Sequence, residues 1–279
     1  MKKAINAWTI PETISFEAMF ASISAAGFEG IELNLDKADA SAHCLTTASK
    51  QVDYDRINAL ARRYKLPVCS ISTSLYGGTL GSDDAQEREF GKNVLRKQLE
   101  CASALGADCI LVVPGGIGEK TSIRQAYENS RQSLLELVPE IEKMRIKVGL
   151  ENVWNGFFAS PTDMARFIDD FHCPFIGAYF DVGNVLINSF PEYWIEILDK
   201  RIFKIHLKDF LHSSWNQGVF VNLLQGDARW EQIVKALNKA GYDSYLTAEL
   251  AGMPKTPGYL YATTSAALDI IINTWGGLK

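Results

Sequence analysis

VGLEN at 148–152, YFDVGN at 179–184, FKIHLKD at 203–209 and LTAEL at 246–250 share one construction: a short β-rich apolar run that ends on, or beside, a side chain able to bind a metal ion. Those side chains are Glu151, Asp181, His206 and Glu249. Their separations of 30, 25 and 43 residues are each roughly one βα unit, the last stretched by the segment 211–227. In a barrel of parallel strands the strand ends share one rim, so four such residues would converge on a common mouth. Taken singly, a strand-terminal carboxylate is more often a helix cap or ion-pair partner, and a histidine in an apolar strand a satisfied core residue. Taken together, three carboxylates and one imidazole form a mainly hard-oxygen set that suits Mn²⁺, Mg²⁺ or Co²⁺, with Zn²⁺ also admitted, and does not suit a thiolate zinc site.

Outward from these four, the same alternation of short strands with longer amphipathic stretches runs through the whole chain, the pattern of repeated βα units. Strands are expected at Lys3–Trp8, Gly30–Leu35, Pro67–Thr73, Cys109–Pro114, Val148–Asn152, Phe175–Asp181, Ile202–Lys208 and Tyr245–Leu250. Helical patterns lie near Phe16–Ala26, Tyr54–Lys65, Ala85–Leu105, Ile123–Met144, Pro161–Phe171, Glu192–Leu198, Trp230–Ala240 and Tyr259–Thr274. AAGF at 25–28, ALGA at 104–107 and KAGY at 239–242 each put a glycine where a helix would stop, while Ser15 and Ser160-Pro161 mark helix starts. Segments 36–52, 74–83 and 211–227 read as long loops. Eight units could also make an open doubly wound sheet, but no GxGxxG turn follows an early strand, and Trp8–Ser15 carries no phosphate fingerprint. The expected fold is α/β, a single closed (β/α)8 barrel of the TIM type, with residues 1–279 as one catalytic domain.

Bulk properties narrow the partners. With 279 residues, 47% hydrophobic and 22% charged, the chain has the material for one large core. The net charge of -5 is spread without basic clusters, which argues against nucleic acid. No apolar run of about 18 residues occurs, and MKKAINAWTIPETISF lacks a signal-peptide pattern, so no membrane association is expected. Cys44, Cys69, Cys101, Cys109 and Cys173 show no CxxC spacing and are odd in number, which fits free, mostly buried thiols in a reducing, cytoplasmic setting.

LEN, DVGN, HLKD and AEL, in that order at barrel spacing, resemble the xylose-isomerase-like barrel superfamily and its sugar and sugar-phosphate isomerase/epimerase branch. GFEGIELNLD at 27–36 resembles that group's second strand, and GVFVNLLQGDARW at 218–230 is most similar to the ketopentose-5-phosphate 3-epimerases of L-ribulose and L-xylulose. The resemblance implies that Glu151, Asp181, His206 and Glu249 bind one divalent metal, Mn²⁺ first among the candidates, and that Glu151 and Glu249 double as the acid/base pair of a ketose 3-epimerase. The ion would stabilise an enediolate while one carboxylate removes a proton and the other returns one to the opposite face. The expected partner is a small ketose or ketose phosphate, and a homo-oligomer is compatible with the reading. An aldose–ketose or hydroxypyruvate isomerase, a keto-inositol dehydratase and a non-catalytic sugar-binding barrel remain alternatives. Where several relatives have histidine in a DxGH motif this chain has Asn184, which suits a substrate hydroxyl better than a metal. Strands three and four lack the extra histidines of the three-zinc endonuclease branch. By strand periodicity Asn6, Trp8, Trp154 and Lys208 could line the mouth. Glu32 reads as a core-layer carboxylate, and His43, His172 and His212 as surface histidines.

Overall fold

Lys2–Asn6 (β1), Gly30–Leu35 (β2), Val68–Thr73 (β3), Cys109–Val112 (β4), Lys147–Glu151 (β5), Ile176–Asp181 (β6), Ile202–Leu207 (β7) and Tyr245–Ala248 (β10) pair in parallel and close into a barrel in the order β1-β10-β7-β6-β5-β4-β3-β2. This computed structural model describes residues 1–119 and 121–276. Around the barrel run α1 (Phe16–Ala25), α2 (Gln51–Tyr64), α3 (Ala85–Leu105), α4 (Ile123–Leu135), α5 (Val138–Met144), α6 (Pro161–Asp169), α7 (Val182–Leu186), α8 (Pro191–Leu198), α9 (Trp230–Lys239) and α10 (Pro257–Ile270). The architecture is the expected single (β/α)8 barrel. Helix ends follow the expected chemistry: Ser15 and Ser160 accept from the backbone N–H groups of Ala18 and Asp163, and Gly106 closes α3 at φ 72°.

The core lies in two places. Strand residues such as Ile5, Ile31, Ile71, Ile110, Val148, Ile205 and Leu246 are fully or almost fully buried, and helices α1, α3, α6 and α9 cover the barrel with Phe20, Leu99, Phe167 and Val234. Inside the barrel, the other strand face carries a polar layer in which Asn6, Glu32, Asn34, Ser70 and Ser72 are all buried. Buried polar groups need partners, and this layer supplies them to one another.

Four local expectations are corrected. β1 stops at Asn6, because its side chain accepts from Trp8 N–H at 2.7 Å and turns Ala7–Thr9 into a short 3₁₀ helix, so Trp8 lies just beyond the strand. The helix expected over 123–144 is broken between α4 and α5, where Pro139 sits in the first turn of α5 and cannot donate a backbone hydrogen bond. The segment expected as a loop at 211–227 contains an antiparallel hairpin, β8 (Asp209–Ser214) with β9 (Gln217–Val221), turning at Trp215-Asn216 with Asn216 at φ 65°. His43 is buried, its ring bonded to the carbonyls of Ile14 at 2.7 Å and Ala7 at 3.2 Å, which ties the loop after β2 to the start of the chain. His212 is partly buried against Asp227 and the Leu186 carbonyl, whereas His172 is exposed.

All five cysteines are free. Burial pushes the Cys69 and Cys101 thiols up to about 11 and the Cys109 thiol up to about 12, and raises Cys173 as well. Only a thiolate attacks a disulfide reagent, so titration of the folded protein with an aromatic disulfide near about pH 8 should give fast reaction at Cys44 alone. The remaining four should react only on unfolding. Rapid modification of Cys69 or Cys109 in the native protein would contradict this placement.

Candidate active site

Glu151 ends β5, Asp181 ends β6, His206 lies one residue before the end of β7 and Glu249 follows β10 directly, on four strands adjacent in the barrel. The pairing register puts Asp181 opposite His206. One ligand atom from each of Glu151, Asp181, His206 and Glu249 lies within 4.8 Å of all the others. His206 Nδ1 is the hub, 3.0 Å from Glu249, 3.3 Å from Glu151 and 3.9 Å from Asp181. The sequence-expected quartet is thus brought together at the C-terminal rim, where (β/α)8 barrels hold their chemistry.

Lys208 lies two residues beyond His206 and turns to the same side, with Nζ 2.5 Å from Asp181 Oδ2 and 2.8 Å from Glu249 Oε2. Burial lowers the affinity of Lys208 for its proton, but the surrounding charges of Asp181, Glu249 and Glu151 outweigh it and hold the ammonium well above its ordinary range. Burial likewise acts against the His206 cation, and the charges of Glu32 and Glu249 win, lifting that imidazole well above its ordinary range. The two glutamates are driven apart. Burial raises Glu151, helped by the neighbouring Glu249 charge, whereas in Glu249 burial is overcome by the positive charges of His206 and Lys208, leaving it far below the usual carboxylate range. Two carboxyl groups of opposite bias in one mouth are the arrangement from which acid and base roles are drawn.

A cavity of about 270 Å³ opens beside Glu249 and Lys208, lined also by Trp8, Phe220, Asn222 and Leu250. That lies just below the usual range of ligand cavities, roughly 300–1,000 Å³. Trp8 is held by a 2.8 Å bond from Nε1 to Asp36. Phe220 comes from the hairpin and meets Trp154 edge to face at 5.4 Å, so Trp154 stands at the outer edge of the mouth, 68% exposed. Asn6 and Asn184 lie deeper. Asn6 donates to Glu32 and, at 3.0 Å, to Ser72 inside the barrel. Asn184 is buried beside Asp181, donating its amide to the Asn152 carbonyl, while its Oδ1 has no hydrogen-bond partner. Tyr179 and Phe220 join the site although the motifs that contain them do not single them out. Tyr179 had a signal, since it lies two residues before Asp181 and so on the same strand face.

The four converging groups fit a divalent cation on two observations. The donors are three carboxylates and an imidazole, and Glu249 Oε2 is buried without a hydrogen bond of acceptable geometry although two cations lie near it.

A parallel barrel with a buried carboxylate-histidine cluster at its C-terminal rim defines a broad class of α/β proteins built around a metal-capable mouth. Within it, the chain belongs to the Xylose isomerase-like TIM barrel family, whose model matches residues 20–269. An uncharacterized protein of Methanocaldococcus jannaschii is 26% identical over 171 residues, 58% of this chain, and the match spans 57% of that relative's length. Among solved structures, L-ribulose 3-epimerase has a TM-score of 0.79 at 19% identity, over 99% of this chain and 95% of that one. The IolI protein with a bound zinc atom has a TM-score of 0.78 at 16% identity, over all of both chains. Likeness at these identities concerns the fold. Among the described residues, no helix is long and apolar enough to cross a membrane.

Proposed function

We propose that the chain is a divalent-metal-dependent isomerase of a small ketose, free or phosphorylated, and that it inverts the carbon beside the carbonyl as a ketose 3-epimerase. One observation carries this reading: ligand atoms of Glu151, Asp181, His206 and Glu249 lie within 4.8 Å of one another, and Glu249 also lines a cavity of about 270 Å³. The solved neighbours support it, one being an L-ribulose 3-epimerase and another carrying zinc.

The quartet would hold the ion, Mn²⁺ being preferred for so oxygen-rich a set and Mg²⁺, Co²⁺ or Zn²⁺ remaining compatible. When bound, such an ion supplies Lewis-acid polarisation of a ketose carbonyl. Glu151 ends β5 and Glu249 follows β10, strands separated by β6 and β7, so their carboxylates can approach a substrate carbon from different sides. One takes the proton from the carbon beside the carbonyl, leaving an enediolate, and the other delivers a proton to the opposite face. Trp8 supplies an apolar wall, Lys208 an ammonium beside the reacting oxygens, and Trp154 the outer edge. Asn6 acts on the substrate side through the groups it holds, whereas Asn184, whose Oδ1 has no hydrogen-bond partner, is the acceptor for a substrate hydroxyl. Residues 1–279 would work as one catalytic domain in the cytoplasm, alone or as a homo-oligomer, without a nucleic-acid or membrane partner.

The test is incubation with Mn²⁺ and a panel of free and phosphorylated ketoses in deuterated water. Deuterium should enter the carbon next to the carbonyl, with inversion of that centre. Migration of the carbonyl would make the protein an aldose–ketose isomerase, and absence of label from every ketose would remove the proposal.

A further inference from the structure

Glu32 is fully buried in the barrel interior on β2, and its carboxylate is saturated. Oε1 accepts from Asn6 Nδ2 and from His206 Nε2, the latter at 2.6 Å, while Oε2 accepts from Ser70 Oγ and the Tyr179 hydroxyl. Five strands therefore meet at one side chain: β2 itself, β1, β3, β6 and β7. A carboxylate has about four lone-pair sites, and in Glu32 each faces a donor. Its grip on His206 Nε2 leaves Nδ1 facing Glu151, Asp181 and Glu249.

We infer that Glu32 is a positioning residue, which fixes the His206 ring with Nε2–H directed into the barrel and Nδ1 presented as the metal donor. The inference rests on the metal-site reading above and adds to it the choice of ring nitrogen and the residue that makes the choice. Histidine ligands commonly donate their second ring N–H to a carboxylate, and removing that partner typically costs about 10- to 100-fold in metal affinity. Glutamine at position 32 would turn an amide N–H toward one of the donor pairs, so either His206 or the Ser70–Tyr179 side loses its acceptor. Tyr179→Phe removes one of the bonds that immobilise the carboxylate and leaves the carboxylate in place.

Mn²⁺ alone is titrated calorimetrically into the full-length wild type, Glu32→Gln and Tyr179→Phe, with circular dichroism as the check on folding. Glu32→Gln should bind about 10- to 100-fold more weakly, and Tyr179→Phe should weaken binding in the same direction by less. An NMR-active cadmium isotope, bound to protein with nitrogen-labelled histidine, should couple to His206 Nδ1. A purely structural role for Glu32 would lower thermal stability and leave both readouts unchanged. Wild-type affinity in both variants, or coupling through Nε2, overturns the inference while the metal site stands. If Glu32→Gln does not fold, Tyr179→Phe and the coupling decide. A wild type that takes up neither ion sinks the metal-site reading and this inference together.

Discussion

Glu151→Gln should leave a folded barrel whose turnover falls by about 10²- to 10⁴-fold, the range for loss of a positioned proton-transfer group. The substitution keeps the shape of the side chain and removes its charge and its proton-accepting oxygen. Folding should survive because the site already disfavours charge at this position, with burial and the adjacent Glu249 both pushing the Glu151 carboxyl toward its neutral form. The bond to His206 Nδ1 at 3.3 Å is long and can be replaced by an amide oxygen. Metal affinity should fall as well, since one of three carboxylate donors becomes a neutral amide. Initial rates on the ketose that takes up label, a Mn²⁺ titration and a thermal melt separate these effects. Full turnover by the variant would remove Glu151 from the acid/base pair.

The four strand ends were legible because each combines two periodicities: an apolar run with strand alternation, and a spacing close to one βα unit. Closure of the barrel then does the rest, carrying Glu151 and Glu249 to one rim across 98 residues of chain. The same alternation in GIELNL places Glu32 and Asn34 on one face of β2, and both are buried inside the barrel. It could not reveal that Glu32 is bonded to a histidine 174 residues away, because no local pattern encodes which strands face each other across the lumen. The hairpin at Asp209–Val221 escaped for a different reason. Its strands are short and mostly solvent-facing, so they lack the one-sided apolar alternation that betrays a half-buried strand, and the Trp-Asn turn is a weak signal beside Asn-Gly. His43 stands in a long loop, where local sequence signals exposure, but the loop folds back under Phe16 and Ile14 and buries it.

Gly183→Ala should both destabilise the protein and disable the site, because Gly183 in DVGN packs directly on the lysine of HLKD. A methyl group there would lie 2.2 Å from Lys208 Cβ and 3.2 Å from Lys208 Cα. Those atoms are the stem and backbone of the lysine, so no change of rotamer relieves the clash and the corner between β6 and α7 must move away from β7. Overpacking of this kind typically costs about 1–3 kcal/mol. The movement falls on Asp181, which caps α7 through a 2.8 Å bond from Asn184 N–H and contacts Lys208 Nζ at 2.5 Å. A displacement near about 1 Å can cost about 10²-fold in rate, so turnover should drop more than the loss of stability alone would explain. Gly258→Ala is the control: in the first turn of α10 its added methyl meets nothing within 4 Å, and helix propensity favours it by up to about 1 kcal/mol. Thermal melts of the two variants should therefore shift in opposite directions, and Mn²⁺ titrations should show weakening in Gly183→Ala alone. Equal stability and metal affinity in Gly183→Ala and the wild type would mean that the β6–β7 rim has slack, and that Asp181 and His206 are held in register by something other than this contact.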